Sequence, residues 1–233
     1  VIAPHPLAEE LPLCTTSDDA TVTQFTGDDL EALGYLKIDL LGLRTLTVID
    51  KAVELINERH PFRLKEIPLD DEKVYDMLCR GEAEGVFQLE SSMFQELLKE
   101  VRPRNFTDLI SILALGRPGP MARLDDYLRH RRGEVKPEYP HPALAQILDE
   151  TCGIMIYQEQ VMRIATELAG YSAGEADLLR RAMGKKEPEI MAQERDRFVE
   201  AACRRGLDQS AAQTIFDDVA KFAEYGFPKS HSA

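Results

Sequence analysis

The chain has no long apolar run, no paired-cysteine motif and no phosphate loop, and each absence removes a class of function. No stretch approaches the roughly 18 apolar residues that a membrane-spanning helix needs. The opening Val1-Ile2-Ala3-Pro4-His5-Pro6 carries neither a charged leader nor an apolar core of the secretory type. A soluble cytoplasmic protein is therefore expected, with neither membrane insertion nor secretion. Cys14, Cys79, Cys152 and Cys203 stand far apart without a C-x-x-C, and His5, His60, His130, His141 and His231 are scattered. Neither a zinc site nor a disulfide framework is suggested, and four free thiols in a reducing cytoplasm is the simpler reading. The missing Gly-x-x-x-x-Gly-Lys-Ser/Thr argues against a small-molecule phosphotransferase. No fixed-period repeat is visible, which argues against a solenoid.

What is present is a chain of 233 residues, 44% hydrophobic, enough for a core in one large or two modest domains. The net charge of −13 weighs at first against nucleic acid. Its distribution matters more than its sum. Residues 1–40 carry Glu9, Glu10, Asp18, Asp19, Asp28, Asp29, Glu31 and Asp39 against Lys37 alone, whereas basic residues concentrate in Arg123–Lys136 and Arg180–Lys186. An acidic front with basic patches behind it can still bind a polyanion locally. The first residue is not Met and the last are Ser232-Ala233, so an excised piece of a larger protein is expected.

Residues 1 to 44 read as a small mixed region. Thr21-Val22-Thr23-Gln24-Phe25 alternates like a short strand, Asp28 is placed to cap a helix through Leu33, and Leu36–Leu41 reads as a second strand. From Thr45 the periodicity is helical almost throughout: Leu46, Ile49, Val53 and Ile56 form an apolar stripe, and Pro61 stops that helix. Further helices are predicted at Asp71–Cys79, Ser92–Val101, Phe106–Leu115, Leu124–Arg131, Pro142–Leu148, Gln158–Ala169, Ala173–Met183, Pro188–Arg205 and Asp208–Tyr225. Pro142 and Pro188 stand where a first turn tolerates proline, and Ser172 with Glu175 forms a capping-box pattern. The expected fold class is α+β, mostly α-helical, with a short strand-containing segment ahead of a helical domain.

Several constellations carry chemistry. In a strand, residues i and i+2 share a face, so Lys37 and Asp39 project together while Leu36, Ile38 and Leu40 face the other way. Two readings stay open from these residues: an ion pair at a sheet edge, or charges opening on a functional cleft. Arg180 and Arg181 fan over neighbouring parts of a helix surface, where guanidinium forks suit phosphate oxygens, while Lys185 and Lys186 just past them can equally complement the helix C-terminus. Tyr225-Gly226-Phe227-Pro228-Lys229-Ser230-His231-Ser232 gathers a cation, a hydroxyl and an imidazole, better suited to binding a phosphate or base than to nucleophilic catalysis. Val86–Ser91 reads as a strand presenting Gln88 and Glu90 on one face, Gly116–Pro120 as a helix-stopping turn, and Tyr157 as a core residue opening an amphipathic helix.

Taken in order, these segments resemble one family. Leu36-Lys37-Ile38-Asp39-Leu40-Leu41-Gly42-Leu43-Arg44-Thr45, Gly85-Val86-Phe87-Gln88-Leu89-Glu90-Ser91, Arg117-Pro118-Gly119-Pro120, Tyr157-Gln158-Glu159-Gln160-Val161-Met162, Arg180-Arg181-Ala182-Met183-Gly184-Lys185-Lys186 and Tyr225-Gly226-Phe227-Pro228-Lys229-Ser230-His231 look like the alpha subunits of bacterial DNA polymerase III, the C-family replicative polymerases. The resemblance spans essentially the whole chain. It implies the end of the palm in residues 1–44 and most of the fingers in residues 45–233.

The resemblance implies a mechanism as well. In that family three palm aspartates hold two magnesium ions, and Asp39 matches the third. The other two lie upstream in an Asp-x-Asp, which occurs nowhere in these residues, so the chain alone is expected to be inactive. By the same resemblance Lys37 would reach the incoming triphosphate from the palm, Arg180 and Arg181 would grip its phosphates, and Lys229, Ser230 and His231 would lie near the nucleotide. The implied partners are primer-template DNA and deoxynucleoside triphosphates, with the sliding clamp and clamp loader in the full-length protein. Two positions depart from the family pattern: Met93 stands near an expected Gly, and Pro228 at an expected Asn. The rival reading is a non-catalytic helical module that uses its basic patches on DNA or an acidic partner.

Overall fold

The computed structural model describes all residues except 41, 186, 187, 224 and 225, and the side chains of all but these and 118, 184, 185, 188–190 and 223. It divides into two compact units, residues 1–66 and 67–233. The first contains α1 (Leu7–Glu10), β1 (Leu13–Thr15), β2 (Thr21–Thr23), α2 (Gly27–Ala32) and α3 (Arg44–Asn57). The strands β1 and β2 pair antiparallel, with Leu13 opposite Thr23. The cap of α2 is Thr26 rather than the expected Asp28. Thr26 Oγ1 accepts the Asp29 N–H at 3.3 Å and the Asp29 carboxylate accepts the Thr26 N–H at 3.2 Å, a reciprocal box that satisfies two otherwise orphaned donors.

The strand expected at Leu36–Leu41 does not form across its described residues. Leu36 makes one isolated antiparallel bridge, accepting the Ile2 N–H at 2.8 Å, and Lys37–Leu40 joins no ladder. Alternation marks a chain fit for a sheet, but a strand exists only where a neighbour takes its backbone hydrogen bonds. The stripe of α3 is only half-sheltered: Ile49, Val53 and Ile56 are partly buried and Leu46 is exposed.

The second unit contains α4 (Glu72–Cys79), α5 (Ser92–Val101), α6 (Phe106–Leu115), α7 (Pro118–Met121), α8 (Leu124–Arg131), α9 (Ala143–Leu148), α10 (Gln158–Ala169), α11 (Ala173–Lys185), α12 (Pro188–Arg204), α13 (Gln209–Ala223) and α14 (Lys229–Ser232). Of the nine helices predicted here, four have the predicted bounds and the other five lie within two residues of them where described; α7, where a turn is expected, and α14 are additional, and Lys186 and Tyr225 fall outside the described residues. The agreement has local causes. The side chains of Asp71, Ser91 and Asn105 accept backbone N–H groups of the helices they precede, at 2.9, 3.4 and 2.9 Å. The Ser172–Glu175 box forms, with Glu175 Oε2 accepting both Ser172 N–H and O–H at 2.8 Å.

Val86–Ser91 is a run of turns, not a strand. Positive φ at Gly85 (77°) and Gln88 (63°) folds it back, with Val86 donating to Ala83 O and Leu89 to Val86 O. Gln88 and Glu90 therefore share no strand face. Leu89 is buried, which explains why an apolar residue stands there.

Two apolar clusters fill this unit. One joins α4–α6 and α8 to Ile154, Ile156 and Tyr157. The other joins α9–α13, including Val161, Ile164 and Leu168 of α10 and the rings of Phe198 and Phe216, 5.5 Å apart. The N-terminal end of α10 thus emerges where the first cluster ends and the second begins. Among the described residues no helix is long and apolar enough to cross a membrane.

Beneath the first cluster lies an ion pair that no motif in the sequence announces. Arg131 donates to both Asp108 oxygens at 2.7 and 2.6 Å, with the side chains 9% and 12% exposed. Arg131 Nε also donates to Val101 O at 3.0 Å and Nη2 to Arg102 O at 3.2 Å, which anchors the left-handed Arg102 at the end of α5. Burial pushes the Asp108 carboxyl up, but the Arg131 bonds and the Arg104 N–H outweigh it and hold it below its usual value. Such a carboxylate contributes stability that is present above its unfolded pKa and lost as pH falls through its folded one. Removing one partner of a buried pair strands the other charge. Asp108→Asn is expected to lower unfolding stability at pH 7 by about 3–5 kcal/mol in urea titrations. The gap from the parent should begin to narrow as pH falls through the ordinary carboxylate range, where the unfolded chain takes up its proton, and close only below the lowered pKa of folded Asp108.

Candidate functional site

In the first unit, Lys37 and Asp39 form the ion pair that their spacing allows. Lys37 Nζ donates to both Asp39 oxygens, at 2.6 and 2.8 Å, and the side chains are 55% and 66% exposed. The shared projection holds, but the apolar surroundings expected of a strand do not: Leu36, Ile38 and Leu40 are exposed with them. A pair this open carries little desolvation cost and contributes about 0–1 kcal/mol. Among the described residues no group of three or more His, Cys, Asp or Glu is arranged to hold a metal. Asp39 therefore fits a hard divalent cation as one oxygen ligand, not as a complete site.

The second unit assembles a denser site around the N-terminal end of α10. The buried amide of Gln160 sets that end. Its Oε1 accepts the N–H groups of Ile156 and Tyr157 at 2.8 and 3.0 Å, and its Nε2 donates to Thr151 Oγ1 at 2.8 Å. Tyr157 is fully buried, its hydroxyl 2.9 Å from Ser111 Oγ, and burial raises its phenol above the usual range. With these two residues fixed, Gln158 and Glu159 stand at the surface of the first turn.

The segment 226–232 docks on that turn. Phe227 donates its N–H to Ile156 O at 3.3 Å, and its carbonyl accepts the Gln158 N–H at 3.0 Å, a one-residue parallel bridge between Tyr157 and Phe227. Gln158 Nε2 donates to Gly226 O at 2.8 Å. A Cβ at Gly226 would lie 2.9 Å from the Phe222 ring and 3.1 Å from Gln158 Cγ, so only glycine lets the segment approach this closely. Glu159 accepts the Lys229 N–H at 3.0 and 3.1 Å, and Lys229 Nζ reaches Glu150 at 2.5 Å, lying 5.5 Å from the centre of the Tyr157 ring. Arg117 stacks over Phe227 at 3.7 Å, and His231 packs edge-on against the same ring at 5.3 Å.

Arg180 enters from α11. Its Nη1 donates to Gln158 Oε1 at 3.1 Å, and its Nε and Nη2 donate to Asp177 Oδ1 at 3.0 and 2.8 Å. Arg181 takes the other Asp177 oxygen at 2.9 Å and is more exposed, 62% against 28%. These bonds, Arg180's foremost, hold the Asp177 carboxyl below its usual value. Two guanidinium groups thus share one carboxylate, an arrangement open to a further anion.

Of the expected site residues, Arg180, Lys229 and His231 meet around α10, with Ser230 exposed on the same segment and Arg181 beside Arg180. Arg117, Glu150, Gln158, Glu159 and Phe227 complete the cluster, and the sequence does not mark them individually as site residues. Their signal was a helix opening on two consecutive polar residues after a buried tyrosine, and an arginine held before a proline.

Comparison with known proteins gives a consistent result. Residues 45–206 match the family model of the bacterial DNA polymerase III alpha subunit finger domain, and residues 1–42 that of the bacterial DNA polymerase III alpha NTPase domain. Over its whole length the chain is 46% identical to DNA polymerase III subunit alpha of Aquifex aeolicus, 47% to that of Thermus aquaticus and 47% to that of Escherichia coli. It spans about a fifth of the length of these relatives, 20%, 20% and 21% respectively.

The stacking of Arg117 on Phe227 gives a local test. Arg117→Met should loosen the docked segment and speed amide exchange at Phe227 and Gln158 by roughly fivefold, with exchange in α12 unchanged. Hydrogen exchange read by mass spectrometry or NMR checks it.

Proposed function

Because this chain belongs to the bacterial DNA polymerase III alpha subunit family, we propose that it forms the end of the palm (1–44) and most of the fingers (45–233) of a replicative DNA-directed DNA polymerase. The reaction is template-directed transfer of a nucleotidyl group from a deoxynucleoside triphosphate to a primer 3′-hydroxyl. The observation that carries this reading is the convergence of Arg180 and Lys229, from two distant motifs, on the first turn of α10, with Arg117 stacked on Phe227 of the segment docked there. That surface suits a polyphosphate: Arg180 and Lys229 are held by carboxylates in partly exposed pairs that cost little to open. Phosphate oxygens, more highly charged and better matched to guanidinium forks, displace Asp177 from Arg180 and Arg181 and Glu150 from Lys229. By the family resemblance, Ser230 and His231 of the same segment lie near the nucleotide, and Lys37 is a further nucleotide-binding residue. These groups neutralise the charge that develops on the transferring phosphoryl group.

Asp39 serves as one ligand of a divalent metal, magnesium in a two-ion arrangement, with the remaining carboxylates supplied by the longer protein. When bound, the metal lowers the charge on the phosphates and activates the primer hydroxyl. Lys37 shields the Asp39 carboxylate until then. In the cell the partners are primer-template DNA, nucleotides and the other replicase subunits, including the sliding clamp and clamp loader. Among the described residues no complete ligand set is arranged, and by itself this chain is expected not to polymerise DNA.

In the full-length protein, Asp39→Asn is expected to abolish nucleotide incorporation while leaving the thermal midpoint unchanged, since the Lys37 pair contributes little to stability. Retained primer extension would sink the ligand role. Arg180→Ala should raise the KM for nucleotide far more than it weakens template binding. Equal loss of both would favour a general DNA-binding patch, the behaviour of a non-catalytic interaction module.

A further inference from the structure

We propose that Gln158 is a positioning residue that couples Arg180 to the segment carrying Lys229, so that both cations are presented to one bound polyphosphate. The inference rests on the nucleotide-binding role of Arg180 proposed above and assigns what orients that arginine. A guanidinium only donates and a backbone carbonyl only accepts, so the partners themselves fix the amide's orientation: Oε1 toward Arg180 and Nε2 toward Gly226 O. The Gln158 backbone N–H adds a third bond, to Phe227 O at 3.0 Å.

Arg180 is therefore held from two sides. Asp177, three residues earlier on the same helix, takes Nε and Nη2, and Gln158, from another helix, takes Nη1. A phosphate that displaces Asp177 leaves the Gln158 contact in place, and this contact keeps the fork aimed while its other donors turn to the ligand. The same amide holds Gly226 O, three residues before Lys229, so the spacing of the two cations is transmitted through one planar group. No other side chain type of this length offers one donor and one acceptor without charge. Glutamate keeps the acceptor but sets a carboxylate against the Gly226 carbonyl; methionine keeps the stem and loses both bonds.

The test is a double-mutant cycle in the full-length protein, read as the steady-state KM for nucleotide, kcat and primer-template affinity. Gln158→Met is expected to raise KM about tenfold, the worth of one hydrogen bond to a charged group, with primer-template affinity unchanged. In an Arg180→Ala background the same substitution should add nothing to KM, because its effect passes through Arg180. Additive effects would overturn the proposal and leave Gln158 a support for the docked segment. If Arg180→Ala itself leaves KM unchanged, the nucleotide reading of Arg180 fails first and the proposal with it. Should Gln158→Met not fold, Gln158→Glu closes the same cycle: a KM rise that survives in the Arg180→Ala background overturns the coupling, and one that vanishes there supports it.

Discussion

The fully satisfied amide of Gln160 is the constraint on which the rest of this surface depends. It lies 2% exposed, and its oxygen and nitrogen tie Ile156, Tyr157 and Thr151 to the start of α10. A buried amide with an unmade bond would cost about 1–3 kcal/mol, so the loop from 151 to 157 has one favoured path. That path buries Ile156 and Tyr157 in one apolar cluster and starts α10 in the other. Only with that path set do Gln158 and Glu159 point to Gly226 and Lys229. The helix carrying Arg180 is fixed separately: Arg197 of α12 stacks on Tyr171 at 4.6 Å and pairs with Glu175, the residue that boxes the start of α11.

The ion pairs divide into two physical kinds. Arg131–Asp108 is buried, bidentate and backed by carbonyl acceptors, and its loss would strand a charge. Lys37–Asp39 is open to water and Arg180–Asp177 and Lys229–Glu150 are partly so, and their partners exchange at smaller cost than those of a buried pair. This reconciles a chain of net charge −13 with the anion-binding surface proposed above. Carboxylates set beside cations keep them compact and oriented at low potential, and the charge appears where a ligand displaces them.

Much of the helical fold was legible because its signals are local. Ser91, Asn105 and the Ser172–Glu175 box sit within four residues of the donors they satisfy, and apolar stripes repeat within each helix. The two misread strands failed for the opposite reason. Leu36–Leu41 and Val86–Ser91 have strand-like composition, but pairing is decided by a partner elsewhere, and at Gln88 a positive φ turns the chain instead. The candidate site was legible as residue types and not as a group. Arginines, a lysine and a histidine could be named from motifs, while Gln158 acquires meaning only through contacts with Arg180 and Gly226, 22 and 68 residues away in sequence.

Pro228 shows how such a grouping absorbs a local departure. The resemblance leads one to expect Asn there, a residue whose side chain can accept the N–H groups that open a short helix. Proline offers no acceptor and fixes φ, here −65°, leaving the first turn of α14 without a cap of its own. Glu159 supplies it from α10, both carboxylate oxygens accepting the Lys229 N–H. The cap is a side chain 70 residues away in sequence, not a neighbouring one. The consequence is a direct bond between the two elements, since α14 cannot leave the start of α10 without giving up the carboxylate that accepts its first N–H. Proline reinforces this by removing conformations from the undocked segment, so less entropy is lost when Lys229 is brought to the surface.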